Sequence, residues 1–271
     1  MRNTVIGILA LLASFLAPTP VSAQGTPQKI SVPLSRPGEP YNLDISILSA
    51  HIEVIGENRE DLEFEITVEQ GSRQIITPSG TKPITTGAYS LEVDEDDNYV
   101  SVDTDWRTDK VNVVAHVPRR GDLSLSTTND GEIVVRDING RLELENTNGP
   151  ITATGIDGSV IAEAINDTID VSFTNIDDSD AMALISINGD LNLGIPANAG
   201  AQLQIDTSQG QIVSDFEVDV QASEPVIERN EGRRGVEVKV ESVIIANVNG
   251  GGPVIKLKTL NGDINIRKSG N

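Results

Sequence analysis

From Asn129 to Val171 the chain repeats one short pattern of apolar and polar positions every nine residues. Gly131, Gly140, Gly149 and Gly158 mark the period, and Asp167 stands in the fifth equivalent place. Two residues after each mark come Ile133, Leu142, Ile151, Val160 and Ile169; four residues after come Val135, Leu144, Ala153, Ala162 and Val171. Such alternation predicts short half-buried strands. Each mark follows Asp130, Asn139, Asn148, Asp157 or Asn166, and Asn/Asp-Gly steps accept positive φ cheaply, so they predict tight turns between the strands. The seventh position reads Ile138, Thr147, Ile156, Ile165 and Thr174. Plain alternation would point it outward, so the pattern predicts a corner near positions five and six that returns it to the core.

Nine residues are too few to close a coil around a filled interior, whereas two such units make an 18-residue coil with a strand on each side. The predicted fold is all-β: a single-stranded β-solenoid (parallel β-helix) of about 18-residue two-strand coils with loop insertions, in which neighbours about 4.8 Å apart bury a shared apolar row. An antiparallel meander would use the same Asn-Gly turns and stays open as an alternative, although an exact period suits stacked coils better. Regular repeats are expected over 118–271, with loop insertions near 175–185 and 217–235. A less regular β part is expected over 41–117, where Leu43, Ile45, Ile47, Ile52, Val54, Leu62, Phe64, Ile66 and Val68 point inward and 71–90 reads as a loop. Residues 41–271 are then one domain, preceded by an N-terminal extension at 24–40.

The runs "TTNDGEIVVRDINGRLELENTNGPITATGIDG" and "GGPVIKLKTLNGDINI" resemble the bacterial putative-adhesin family of β-solenoid proteins, and are similar to the auto-transporter adhesin head domain. The resemblance covers roughly 41–271. It implies an extracytoplasmic β-solenoid with a role in adhesion or envelope physiology, and it brings no catalytic residues to carry over.

The N-terminal residues lead to the expectation that this domain lies outside the cytoplasm. Arg2, an apolar core from Val5 to Leu16, Pro18 and Pro20, and small residues at Val21 and Ala23 form a secretory signal peptide over 1–23 with cleavage expected before Gln24. The apolar core is shorter than the ~20 residues that cross a bilayer, so no integral membrane segment is expected in the mature chain. Localisation is therefore expected in the periplasm, at the cell surface or outside the cell. A formal net charge of −21 repels phosphate backbones and argues against a nucleic-acid partner. With no cysteine, stability must come from burial and hydrogen-bond ladders.

Candidate chemistry is sparse. His51 and His116 share no motif and read as isolated strand-surface histidines. Asp94, Asp96 and Asn98 mimic the start of a calcium loop, but Tyr99 replaces the required glycine and Asp105 the closing glutamate; acidic turns are the plainer reading, also for 175–180. No catalytic residue, cofactor or metal is expected. A carbohydrate-active β-helix hydrolase or lyase would need two carboxylates at a defined separation, and candidates such as Asp170 and Glu163 exist. The expected function is a non-enzymatic interaction module, adhesin-like or of the cell envelope, binding a surface protein or glycan; a structural or regulatory envelope protein that binds another protein is the alternative. Alternate units should share a side, which puts Glu132, Val134, Pro150, Thr152, Thr154, Thr168, Asp170 and Ser172 on one outer face and Arg141, Glu143, Glu145, Ser159, Ile161 and Glu163 on the other. The first face is richer in hydroxyls. Thr152, Thr154, Thr168, Asp170 and Ser172 are the candidate partner-binding residues.

Overall fold

The structure, a computed structural model, describes residues 27–68, 91–104, 110–176, 180–222, 226–232, 235–241 and 243–269. The leader at 1–23, the stretch 71–90 and Asp105 lie outside the described residues. All the elements among them are strands. In chain order these begin with β1 (Gln28–Pro33), β2 (Tyr41–Ile47), β3 (Ala50–Glu57), β4 (Asp61–Val68), β5 (Leu91–Asp96), β6 (Tyr99–Thr104), β7 (Val111–Pro118) and β8 (Gly121–Thr127). The repeat region supplies β9 (Ile133–Arg136), β10 (Asn139–Asn146), β11 (Ile151–Ala164), β12 (Ile169–Ile176), β13 (Met182–Asn188) and β14 (Leu191–Pro196). The remainder is β15 (Ala201–Gln209), β16 (Ile212–Ser214), β17 (Val218–Ala222), β18 (Val226–Gly232), β19 (Gly235–Glu241), β20 (Ile244–Val248), β21 (Val254–Asn261) and β22 (Ile264–Ser269).

Twenty of these strands form one sheet and β18–β19 a separate hairpin. The large sheet has two sides around a common core. On side A the hydrogen-bonded order is β5, β6, β2, β8, β10, the second half of β11, β13, β21, β15, β20, β17. On side B it is β1, β4, β7, β3, β9, the first half of β11, β12, β14, β22, β16. The long strand β11 belongs to both, bending where its register on β12 shifts between Thr154 and Asp157. From β6 to β15 and from β7 to β16 the pairing is parallel; antiparallel strands are added at β6, at β7 and at β15, whereas side B ends on the parallel strand β16. The sheet is thus mixed, a departure from the purely parallel expectation. β1 lies within the 24–40 extension, and both expected loop insertions carry strand: 175–185 takes in the end of β12 and the start of β13, and 217–235 contains β17 and β18. "VDVQA" and "VIERN" alternate apolar and polar residues, a strand signal masked by the charge around it.

Register follows the nonads. Asn139 pairs with Asp157, and Ile133 with Ile151, each 18 residues on. Ile133, Leu142, Ile151, Val160 and Ile169 are all buried, in one cluster with the inward rows of every other rung. Position seven splits. Ile138 and Ile156 are buried, but Ile165 is 42% exposed and Thr174 faces solvent. At Ile138 and Ile156 the corner from side B to side A turns that residue inward; on the equivalent corner after β12 a register shift puts Phe173 opposite Ile156, and Phe173 takes the buried place instead of Thr174. The corner from side A to side B turns Ile165 outward and buries the residue before it. Asn146 sits there, donating to the Gly131 carbonyl at 3.0 Å. Ser186 donates to Asp167 O and Thr259 to Gly189 O at the equivalent corners.

The Asn-Gly steps are not hairpin turns. Of the residues preceding the marks only Asp130 has positive φ, and the strands they join are parallel to those of the next rung. Asparagine instead builds a ladder: Asn166 donates to Asn148 at 3.0 Å, Asn188 to Asn166 at 3.0 Å, and Asn261 to Asn188 at 2.8 Å. Glycine is needed because successive rungs touch there. A Cβ on Gly149 would collide with the carbonyl oxygen of Gly131, and one on Gly131 with that of Ala50.

Rung order departs from chain order twice. β2–β3 lies between β6–β7 and β8–β9. β21–β22 lies between β13–β14 and β15–β16, although it follows both in sequence. The chain reaches that slot through Asn249–Pro253, where Gly252 packs against Gly200 and the Asn249 amide donates to Ala197 O and Ala199 O.

Candidate binding surface

The outer face of side B gathers the five candidate residues. Thr152 pairs with Asp170 and Thr154 with Ser172 on the adjacent rung. Thr168 precedes β12, and its carbonyl accepts from Ile151 N at 3.1 Å. The Thr152 row runs Glu53, Val134, Thr152, Asp170, Asn192, Asn265. Its neighbour runs Ile55, Arg136, Thr154, Ser172, Gly194, Arg267. All five candidates are half-buried, as expected for short side chains flanked along a strand ladder. Val134, expected outside, is only 7% exposed; Arg136 and Glu53 form an ion pair of 3.3 Å beside it. On side A Ser159 likewise points outward yet is buried.

Asp170 is the perturbed group on this face. Burial among its row neighbours pushes its carboxyl above the ordinary value, and Arg267 on the same side pulls partly the other way. Asn192 and Asn265 extend the row in amide chemistry, Asn265 donating to Asn192 at 3.0 Å. Sequence reading passed over them, although "INGDLNL" and "LNGDINI" are near copies, and near copies stack as adjacent rungs.

The rows continue into a shallow depression of about 580 Å³ bordered by His51, Lys110, Asn112, Asp130, Glu132 and Pro150. His51 Nδ1 lies 3.0 Å from Glu132 Oε1 on the neighbouring rung, and His116 Nδ1 lies 3.0 Å from Glu57. Neither histidine is isolated: each is held by a glutamate.

The acidic run at 94–98 has a structural task. Asp97 and Asn98, both at positive φ, make the two-residue turn between β5 and β6. Glu95 accepts from Ser35 N, Ser35 Oγ and Asn98 N, and these bonds hold its carboxyl below the usual range. The Asn98 amide donates to Arg36 O and accepts from Arg36 N. The turn therefore pins the segment that leads into β2. Asp170 stands on side B and Glu163 on side A, so these two carboxylates cannot flank one bond.

Fold and surface together define an all-β protein whose stacked rungs display regular rows of polar side chains. No family model matches the chain, and no curated protein matches it in sequence. Among solved structures it is similar to a putative cell adhesion protein from Clostridium sporogenes, with 8% identity, 90% of this chain and 100% of that one covered, and a TM-score of 0.48. It is also similar to a putative adhesin from Bacteroides fragilis, with 10% identity, 89% and 96% coverage and a TM-score of 0.41. Likenesses of that distance assign neither fold nor function.

Proposed function

We propose that the chain is an exported, non-enzymatic interaction module, adhesin-like or of the cell envelope, built as a β-solenoid with antiparallel strands added to it, and that it binds a surface protein or glycan across the outer face of side B. The observation that carries this reading is the in-register ladder of Thr152, Asp170, Asn192 and Asn265 beside Thr154 and Ser172. Short hydroxyl and amide side chains lose little entropy on binding and offer donors and acceptors at strand spacing, which suits a polymer or an extended peptide. Export through the leader at 1–23, cleaved before Gln24, brings this face to an envelope component.

The test is co-sedimentation of the mature chain with isolated envelope glycan and, separately, with envelope proteins. Thr152→Arg combined with Thr168→Arg should leave the thermal transition intact and abolish binding. Binding that survives in the folded double variant would place the partner elsewhere. Capture of protein but not glycan would favour the structural or regulatory envelope role.

A further inference from the structure

The outer face of side A differs from the hydroxyl-rich face in both chemistry and symmetry. Two of its rows can be followed through the central rungs. The first runs Ser124, Glu143, Ile161, Ala183, Lys256, Gln204. The second runs Ser126, Glu145, Glu163, Ile185, Lys258, Asp206. At the corner beyond them, Ile165 is 42%, Ile187 43% and Leu260 48% exposed. The face therefore carries Ile161, Ala183 and Ile185 with Glu163 at its centre, Glu143 and Glu145 on the β10 flank, where Arg141 pairs with Glu143 at 3.8 Å, and Lys256 and Lys258 on the β21 flank.

Such an arrangement is self-complementary. Consider a two-fold axis lying in the plane of the face, parallel to the strands and passing between β11 and β13. It reverses the order of the rungs and keeps positions along the strands. β10 of one copy then lies over β21 of the other, so Glu143 meets Lys256 and Glu145 meets Lys258. Ile161 meets Ala183, Ile165 meets Ile187, and Ser124 and Ser126 meet Gln204 and Asp206. A two-fold contact requires each residue pair to occur twice, and within these two rows every pair joins opposite charges, apolar groups or hydrogen-bonding groups, apart from Glu163 over Ile185; outside them Arg141 meets Val254 and Thr147 meets Leu260. Glu163 lies next to Glu145 in its row, so the lysine that meets Glu145 also offsets the repulsion between the two carboxylates. Lys258 already has one acidic neighbour, Asp206 at 2.9 Å; Lys256 is exposed.

We propose that side A is the interface of a homodimer, formed by a second copy of this chain packed face to face about that axis. Six rungs at ~4.8 Å and strands of about seven residues at ~3.3 Å give each copy about 650 Å², or about 1,300 Å² in all, the low end for a specific interface. With charged flanks, association in the micromolar range is expected, weakening as salt rises. The dimer leaves both B faces outward. It is independent of the ligand proposed for them, since it can form whether or not side B binds anything.

Sedimentation equilibrium of the mature chain across the micromolar range tests it. Wild type should pass from monomer to dimer. Ile185→Asp should be monomeric and still unfold in one cooperative transition, because Ile185 lies on the outward, half-buried row and not in the core. Glu143→Lys and Lys256→Glu should each weaken dimerisation about tenfold or more, and the two changes in one chain should restore it, because each copy then supplies the opposite sign at both places. A wild type that stays monomeric throughout the range overturns the proposal. So does a dimer indifferent to Ile185→Asp, or a double variant no better than the single ones.

Discussion

Asp170 shows what a side chain gives up by standing in a crowded ladder. Its carboxyl is raised by burial, so the folded state holds its proton more tightly than the unfolded one. A raised group favours folding below its unfolded pKa and loses that contribution as pH rises through its folded pKa. At neutral pH the charged form is therefore a burden, and Asp170→Asn should raise the melting temperature there. The gain should vanish as pH falls below the ordinary carboxylate range near 3.8. A variant with the same advantage at acid pH would locate the effect in packing. The asparagines teach a complementary lesson. Their spacing of nine was plain in the sequence, but their purpose was misread, because Asn-Gly is a turn signal only when the chain reverses. Here the neighbouring strand is the next rung, so the amide bonds upward to its own equivalent and the glycine admits a carbonyl. Local composition holds no sign of that difference.

At the scale of the element, inward and outward positions of β9 to β12 were legible because a strand has period two, and a one-residue slip would expose every apolar side chain. Ile151→Asp in β11 should unfold the stack at a cost above about 3 kcal/mol, since it buries a charge without a partner. Glu143→Gln in β10 should change monomer stability by less than about 0.5 kcal/mol. Urea unfolding of both variants checks the pair, and equal losses would mean that the faces are wrongly assigned. The corners were less legible. Ile138 and Ile165 occupy the same place in the repeat, yet one is buried and the other is not, because the two corners of a rung bend differently and a nine-residue pattern averages over both. The side-B candidate residues were grouped by the 18-residue alternation; Asn192 and Asn265 escaped because a 22-residue step and then a 73-residue step carry the row to them.

On the scale of the whole molecule, sequence distance says little about rung order. Nothing in the period reveals that 254–269 slides between 182–196 and 201–214, since all three segments carry the same alternation. β15 meets the parallel stack through β21, and β16 through β22, so both are joined to it by strands made after them. A chain cut after Pro253 should keep amide-exchange protection over 121–176 and lose it over 201–248. Protection persisting over 201–248 would show that β15 can settle directly on β13. The late pair thus works as a keystone. For a polypeptide threaded through a membrane from its N-terminus, as proposed for this one, the arch stays open until residues 254–269 emerge, and the far end can lock only on the outer side.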